Sequence, residues 1–97
     1  MQVEILYFAD CPNHLPAVQR VEEVLRQEGL AAEIRQVEVP DAESAQQLHF
    51  LGSPSIRVNG QDVDPRARAC QDFGMMCRTG LPSHDLIRSA IRLSQEL

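Results

Sequence analysis

The strongest candidate for chemistry in this chain is Cys11, which follows an apolar segment at residues 3–8 and precedes Pro12 and His14. A thiolate is both a nucleophile and a metal ligand, so a group that stabilises it creates reactivity. His14 lies three residues later and can act as an imidazolium beside the thiolate or as a neutral base that takes its proton. This spacing predicts thiol chemistry at Cys11, with His14 as a second catalytic residue.

Two further cysteines, Cys70 and Cys77, lie between residues 64 and 81, which we interpret as a long loop. The directions of the predicted strands bring this loop to the end of the sheet where Cys11 lies. Either cysteine can therefore be the thiol that resolves a mixed disulfide on Cys11. The neighbouring Arg78 can support a thiolate, and for this reason we favour Cys77 as the third catalytic residue.

The same side chains allow a different hypothesis, a site for a soft metal. Cys11, His14, Cys70 and Cys77 together offer the sulfur and nitrogen ligands that suit Hg(II), Cu(I) or Zn(II). Their spacing matches no zinc finger. A third hypothesis is a binding module without catalysis, in which Cys11 is buried and unreactive. For the redox function we expect no bound cofactor.

The elements that must position Cys11 are an apolar strand before it and an amphipathic helix after it. Five apolar residues recur at helical spacing and predict the buried face of that helix: Ala17, Val18, Val21, Val24 and Leu25. Gly29 is a good terminator. Pro16 is most comfortable at the first helical position, so we expect Cys11 to lie in an irregular turn before the regular helix.

The remaining segments predict two more helices and three more strands. Residues 32–39 are strand-like, although Ile34 is out of phase with Val37. Asp41 can cap a short helix that Gly52 closes, and Ser83 can cap a last helix. Asn59-Gly60 between two short segments that we predict as strands, residues 56–58 and 61–63, is typical of a hairpin. The predicted order is β-α-β-α-β-β-α, a single α/β domain over residues 1–97 with a central four-stranded mixed sheet.

A strand that leads into Cys11-Pro12, the turn Gly52-Ser53-Pro54 before another strand, and the late Cys77-Arg78 resemble the thioredoxin-like superfamily. More narrowly, the chain resembles small stand-alone bacterial proteins with the thioredoxin or glutaredoxin fold, some of which carry an alkylmercury lyase-like label. His14 stands where that superfamily has the second cysteine of its pair.

The resemblance implies a thioredoxin-like sandwich in which Pro54 is cis and faces Cys11. It implies that Pro12, Ser53 and Pro54 contact the substrate. The expected activity is thiol-disulfide or monothiol redox chemistry on a thiol or disulfide substrate, either a protein or a glutathione-like compound.

Composition narrows the classes of partner. The chain has 97 residues with 9 basic and 14 acidic side chains and a net charge of −5, which disfavours nucleic-acid binding. No apolar run approaches the roughly 20 residues that a membrane helix needs, so we expect no membrane partner. The strand pattern begins at residue 2, and we therefore expect a cytoplasmic protein without a leader. The oligomeric state is left open.

Overall fold

The computed structural model describes residues 1–9, 11–50, 52–64 and 81–95. Its strands and helices, in chain order, are β1 (Gln2–Tyr7), α1 (His14–Glu28), β2 (Glu33–Glu38), α2 (Ala42–Gln47), β3 (Ser55–Val58), β4 (Gln61–Asp62) and α3 (His84–Gln95). The predicted α/β class and the mixed four-stranded sheet are confirmed. Among the helices of these segments, none has the length and apolar character needed to cross a membrane.

The sheet has the strand order β2-β1-β3-β4, with β1 at its centre. β1 pairs with β2 in parallel and with β3 in antiparallel orientation, and β4 returns antiparallel to β3. In β1, Val3 and Ile5 are buried on one face of the sheet and Leu6 is buried on the other. This is expected for a strand that is covered on both sides. Leu6 pairs with Ser55, so β3 begins beside the end of β1.

Helices cover both faces of this sheet. The larger core cluster lies between the sheet and helices α1 and α3, and the smaller one, around Phe50, lies on the opposite face with Ala45 of α2. β2 contributes to both clusters, with Ile34 on the α1 side and Val37 on the α2 side. Ile34 and Val37 are out of phase in the sequence because they face opposite sides of β2, and each side packs against a different core cluster.

Helix α1 begins at His14, so the prediction that Pro16 is its first residue is wrong. Pro16 is instead the third helical residue. At that position a backbone N–H has no partner within the helix, so its absence costs no hydrogen bond. The carbonyl four residues earlier belongs to Pro12, outside the helix, and a clash with the proline ring is avoided. The end of α1 is as predicted, with Gly29 at φ 66°.

Helix α2 is capped by Asp41, whose Oδ1 accepts a hydrogen bond from the Ser44 backbone N–H at 2.8 Å, as predicted. Its end differs from the prediction, because the helix ends at Gln47, well before Gly52. His49 takes the left-handed conformation at φ 55°. The Phe50 N–H then donates to the carbonyl of Ala45 at 2.8 Å, and the buried Phe50 ring anchors the end of the helix.

The predicted hairpin is confirmed, with Asn59 at φ 49° and Gly60 at φ 86° between β3 and β4. Positive φ at both central residues is what a two-residue hairpin turn needs. The Asn59 side chain also accepts a hydrogen bond from the Gln2 N–H at 3.0 Å, which ties the turn to β1. Val63, predicted as the end of β4, follows the strand, and its N–H donates to the Ile56 carbonyl.

Polar contacts brace α1 against α3 along their exposed edges. They join Arg20 to the Pro82 carbonyl, Glu23 to His84, Gln27 to Arg88 and Glu28 to Arg92. The hydrogen bond from His84 lowers the pKa of Glu23, and that from Arg92 lowers the pKa of Glu28. Because the partners follow the same order along the chain, α3 and the residues just before it hold α1 from Arg20 to Glu28.

Candidate functional site

Cys11 lies in a short turn between the end of β1 and the start of α1. Its N–H donates to the Phe8 carbonyl at 3.3 Å, and its own carbonyl accepts from the His14 N–H at 3.3 Å. The thiol is free and half-buried. The prediction that Cys11 lies in a turn before the regular helix is confirmed.

The start of α1 favours a negative charge in its vicinity. Asn13 is the N-cap residue, but its side chain makes no capping hydrogen bond, and the first turn of the helix carries no acidic residue. The partial positive charge of the first backbone N–H groups is therefore not compensated by a side chain of that turn. A thiolate at Cys11 would lie three residues before this helix.

The Ser53–Pro54 corner reaches the same end of β1. The Ser53–Pro54 peptide bond is cis, as the resemblance implied. The Ser53 Oγ accepts a hydrogen bond from the Phe8 N–H at 3.4 Å. Phe8 therefore joins two parts of the predicted site, because its carbonyl holds the turn of Cys11 and its N–H contacts Ser53.

The three residues predicted to contact a substrate differ in exposure. Ser53 and Pro54 are fully buried, whereas Pro12, next to Cys11, is exposed. Besides the Ser53 hydroxyl, the buried hydroxyl of Ser55 contacts this corner. It donates a hydrogen bond to the Gly52 carbonyl at 2.6 Å and so ties the start of β3 to the residue before Ser53.

His14 contacts two side chains that the sequence analysis did not place together. Its ring stacks on Tyr7 with centroids 3.6 Å apart and planes 7° from parallel. Its Nε2 lies 2.7 Å from the Oε1 of Gln36 on β2. Sequence spacing had suggested that His14 stacks over the Cys11 sulfur, but the contacts that the structure gives to its ring are those with Tyr7 and Gln36.

The register of the sheet explains why these residues meet. Gln36 is the partner of Ile5, and Tyr7 follows Ile5 on the same face of β1, the face that α1 covers. The first helical residue, His14, therefore lies over both. Nothing local in the sequence indicates Gln36, which is 22 residues away from His14. Only the pairing of β1 with β2 brings the amide to the imidazole.

Cys70 and Cys77, together with Arg78, lie outside the described residues. The chain does leave the sheet where the topology predicted, because the Val63 N–H donates to the Ile56 carbonyl near the start of β3. That start lies beside Leu6, close to the end of β1. The pairing of either cysteine with Cys11 stays a prediction.

The metal hypothesis depends on the same two cysteines. Within residues 1–9, 11–50, 52–64 and 81–95, no cluster of three or more histidine, cysteine, aspartate or glutamate side chains has an arrangement that could hold a metal ion. The predicted ligand set of Cys11, His14, Cys70 and Cys77 extends beyond these segments, so it too stays a prediction.

Comparison with protein-family models found no match for this chain, and searches of curated proteins and of solved structures likewise found none. The chemistry of the site must therefore be inferred from its own residues. They are a free, half-buried thiol, an imidazole held by an aromatic ring, and an amide that fixes the imidazole.

Proposed function

We propose that this protein is a thioredoxin-like thiol redox protein that performs thiol-disulfide exchange through Cys11. One observation carries the proposal: the free thiol lies in the turn between the central strand and α1, and Phe8 links that turn to the Ser53–Pro54 corner. The element order and the mixed sheet support it, since they agree with what the resemblance implies.

The proposed exchange begins when the Cys11 thiolate attacks one sulfur of a substrate disulfide. A bond forms between Cys11 and that sulfur, and the second substrate sulfur leaves as a thiolate, which takes up a proton. The Cys77 thiolate then attacks the Cys11 sulfur and releases the first substrate sulfur. The substrate disulfide has gained two electrons, and the protein holds a Cys11–Cys77 disulfide that an external thiol must reduce again.

Partial burial of Cys11 suits such a role better than full burial or full exposure. A completely buried cysteine acts as a small apolar residue and does not reach a substrate. Cys11 is half-buried and lies next to the exposed Pro12, three residues before a helix whose N-cap side chain makes no capping hydrogen bond. The substrate class is a thiol or disulfide, on a protein or on a glutathione-like compound.

A disulfide map tests this function. The reduced full-length protein is incubated with oxidised glutathione, its free thiols are alkylated, and its peptides are identified by mass spectrometry. We expect a Cys11–Cys77 disulfide in the wild type and a glutathione adduct on Cys11 in Cys77→Ser. Cys70→Ser serves as the matched control and should behave as the wild type does.

Two results would contradict the proposal. In the first, Cys11 is neither oxidised nor glutathionylated while the protein is folded. In the second, the purified protein carries a stoichiometric soft metal that Cys11→Ser loses, which would assign the site to metal binding. A disulfide between Cys11 and Cys70 would keep the redox function but change the resolving residue.

A further inference from the structure

The side chain of Ser53 is fully buried, although the resemblance implied that this residue contacts the substrate. We propose that Ser53 is instead a positioning residue: its hydroxyl fixes the backbone of Phe8, and Phe8 in turn fixes the turn that carries Cys11. This role rests on the proposed thiol exchange at Cys11, and it adds to that function the residue that sets where the reacting cysteine lies.

The register of the sheet explains why Ser53 meets Phe8. Leu6 pairs with Ser55 in the antiparallel ladder of β1 and β3, so the same register, continued by two residues toward the Cys11 end of the sheet, places Phe8 opposite Ser53. Strand β1 has ended by this position. The Phe8 N–H donates to the Ser53 Oγ at 3.4 Å, so a side-chain oxygen accepts the bond where the next backbone pair of the ladder would lie.

Burial gives this hydrogen bond its weight. The Ser53 side chain has no exposed surface, so bulk water does not compete for its oxygen. The Phe8 side chain packs against the smaller core cluster, the one around Phe50. Phe8 is thus held from two sides, by a hydrogen bond toward the chain before β3 and by apolar packing toward the α2 side. Removal of the hydroxyl would leave the N–H without this acceptor while the packing remains.

Phe8 transmits this constraint to Cys11. The Phe8 carbonyl accepts a hydrogen bond from the Cys11 N–H at 3.3 Å, and the Cys11 carbonyl accepts one from the His14 N–H at the start of α1. Because the N–H and the carbonyl of Phe8 belong to one residue, the bond to Ser53 restricts the direction in which the carbonyl points. Attack on a disulfide requires an oriented sulfur, so the placement of this turn affects the rate of exchange.

Ser55 offers a matched comparison at the same corner. Like Ser53, it is fully buried, and its hydroxyl makes one hydrogen bond, to the Gly52 carbonyl at 2.6 Å. Ser53→Ala and Ser55→Ala each remove one buried hydroxyl and one hydrogen bond. Only the bond of Ser53 leads to the turn of Cys11. A general loss of stability should therefore appear in both variants, whereas a loss of positioning should appear in Ser53→Ala alone.

The first test locates the hydrogen bonds that loosen. Amide hydrogen exchange of the full chain is measured by NMR, and each rate is compared with that of the Val39 amide, which donates to the last residue of β1. Relative to Val39, we expect the Phe8 and Cys11 amides to exchange roughly three- to tenfold faster in Ser53→Ala than in the wild type, the effect of one net hydrogen bond. Ser55→Ala should keep the wild-type ratios.

The second test measures the reaction of Cys11. In a Cys77→Ser background, the rate at which Cys11 forms an adduct with oxidised glutathione is followed at one pH by peptide mass spectrometry. We expect Ser53→Ala to slow this reaction roughly three- to tenfold, because the turn occupies its positioned conformation for a smaller fraction of the time. Ser55→Ala should react at the rate of the background protein, and circular dichroism checks that each variant is folded.

The two readouts separate this role from the proposed function. Equal exchange ratios in Ser53→Ala and wild type would overturn the role of Ser53, and so would an unchanged rate of adduct formation. A wild-type Phe8 amide that exchanges as fast as in an unfolded chain would overturn it without any variant. If the ratios change as expected but wild-type Cys11 forms neither adduct nor disulfide, the placement of Cys11 by Ser53 stands and the proposed redox function falls.

Discussion

Truncation of Ile91 should strongly destabilise the protein, because this side chain connects α3 to the core that carries α1. Ile91 is fully buried in the larger core cluster, whereas Leu93, two residues further along α3, is 56% exposed. Ile91→Ala and Leu93→Ala each remove three carbon atoms from the same helix. The pair therefore separates the effect of burial from that of helix propensity.

The magnitude follows from the carbons removed. At about 0.8 kcal/mol for each buried methylene, Ile91→Ala loses about 2.4 kcal/mol of transfer free energy. The cavity adds to this loss, and isoleucine-to-alanine changes in cores cost about 2–5 kcal/mol. We expect the free energy of unfolding to fall by about 3 kcal/mol for Ile91→Ala and by less than about 1 kcal/mol for Leu93→Ala.

Urea unfolding followed by far-ultraviolet circular dichroism is the suitable assay, since the chain has no tryptophan. With a slope near 1.5 kcal/mol/M, a loss of about 3 kcal/mol lowers the midpoint by about 2 M urea. Equal losses for the two variants, or a larger loss for Leu93→Ala, would refute the packing of α3 described above. A domain of this size has about 5–15 kcal/mol of stability, so Ile91→Ala should still fold in buffer.

Three further perturbations test other parts of the structure. Gly60→Ala should cost about 1 kcal/mol in urea unfolding, because φ is 86° while no atom lies near the added carbon; an unchanged midpoint would argue against this turn. Ser55→Ala should cost about 1–3 kcal/mol, since it leaves the buried Gly52 carbonyl without its 2.6 Å hydrogen bond; a neutral result would show that water replaces the hydroxyl. Arg92 lowers the pKa of Glu28, so the pair stabilises the fold above the ordinary glutamate range and less as pH falls through the lowered value. The stability difference between wild type and Glu28→Gln should therefore shrink in urea titrations as the pH falls below the ordinary glutamate range, and a difference that stays constant over that fall would contradict this linkage.

Local patterns predicted much of the fold because each depends on residues close together in the chain. The buried face of α1 matches the five apolar residues at helical spacing. Asp41 and Ser83 cap their helices through bonds to backbone N–H groups three residues later. Asn59 and Gly60 adopt the conformations that only a few residue types accept easily.

The sequence was less informative where the conformation of one segment depends on its contacts with another segment. A proline at position 16 prefers the first helical residue but is tolerated at the third, because neither position needs its N–H. The conformation of the preceding turn, in which Cys11 bonds to Phe8 and His14, decided for the third. The facing of Ile34 was likewise decided by the two helices that cover opposite sides of β2.

The sequence by itself indicated which residues are candidates for chemistry, the helical and strand periods, and the position of Cys11 after an apolar strand. The tertiary structure decided the contacts of His14, because Tyr7 and Gln36 reach it only through the parallel pairing of β1 with β2 and the covering helix. Local spacing reports which side chains share a face of one element. The register between distant strands, which depends on the packing of the whole core, determines which faces meet.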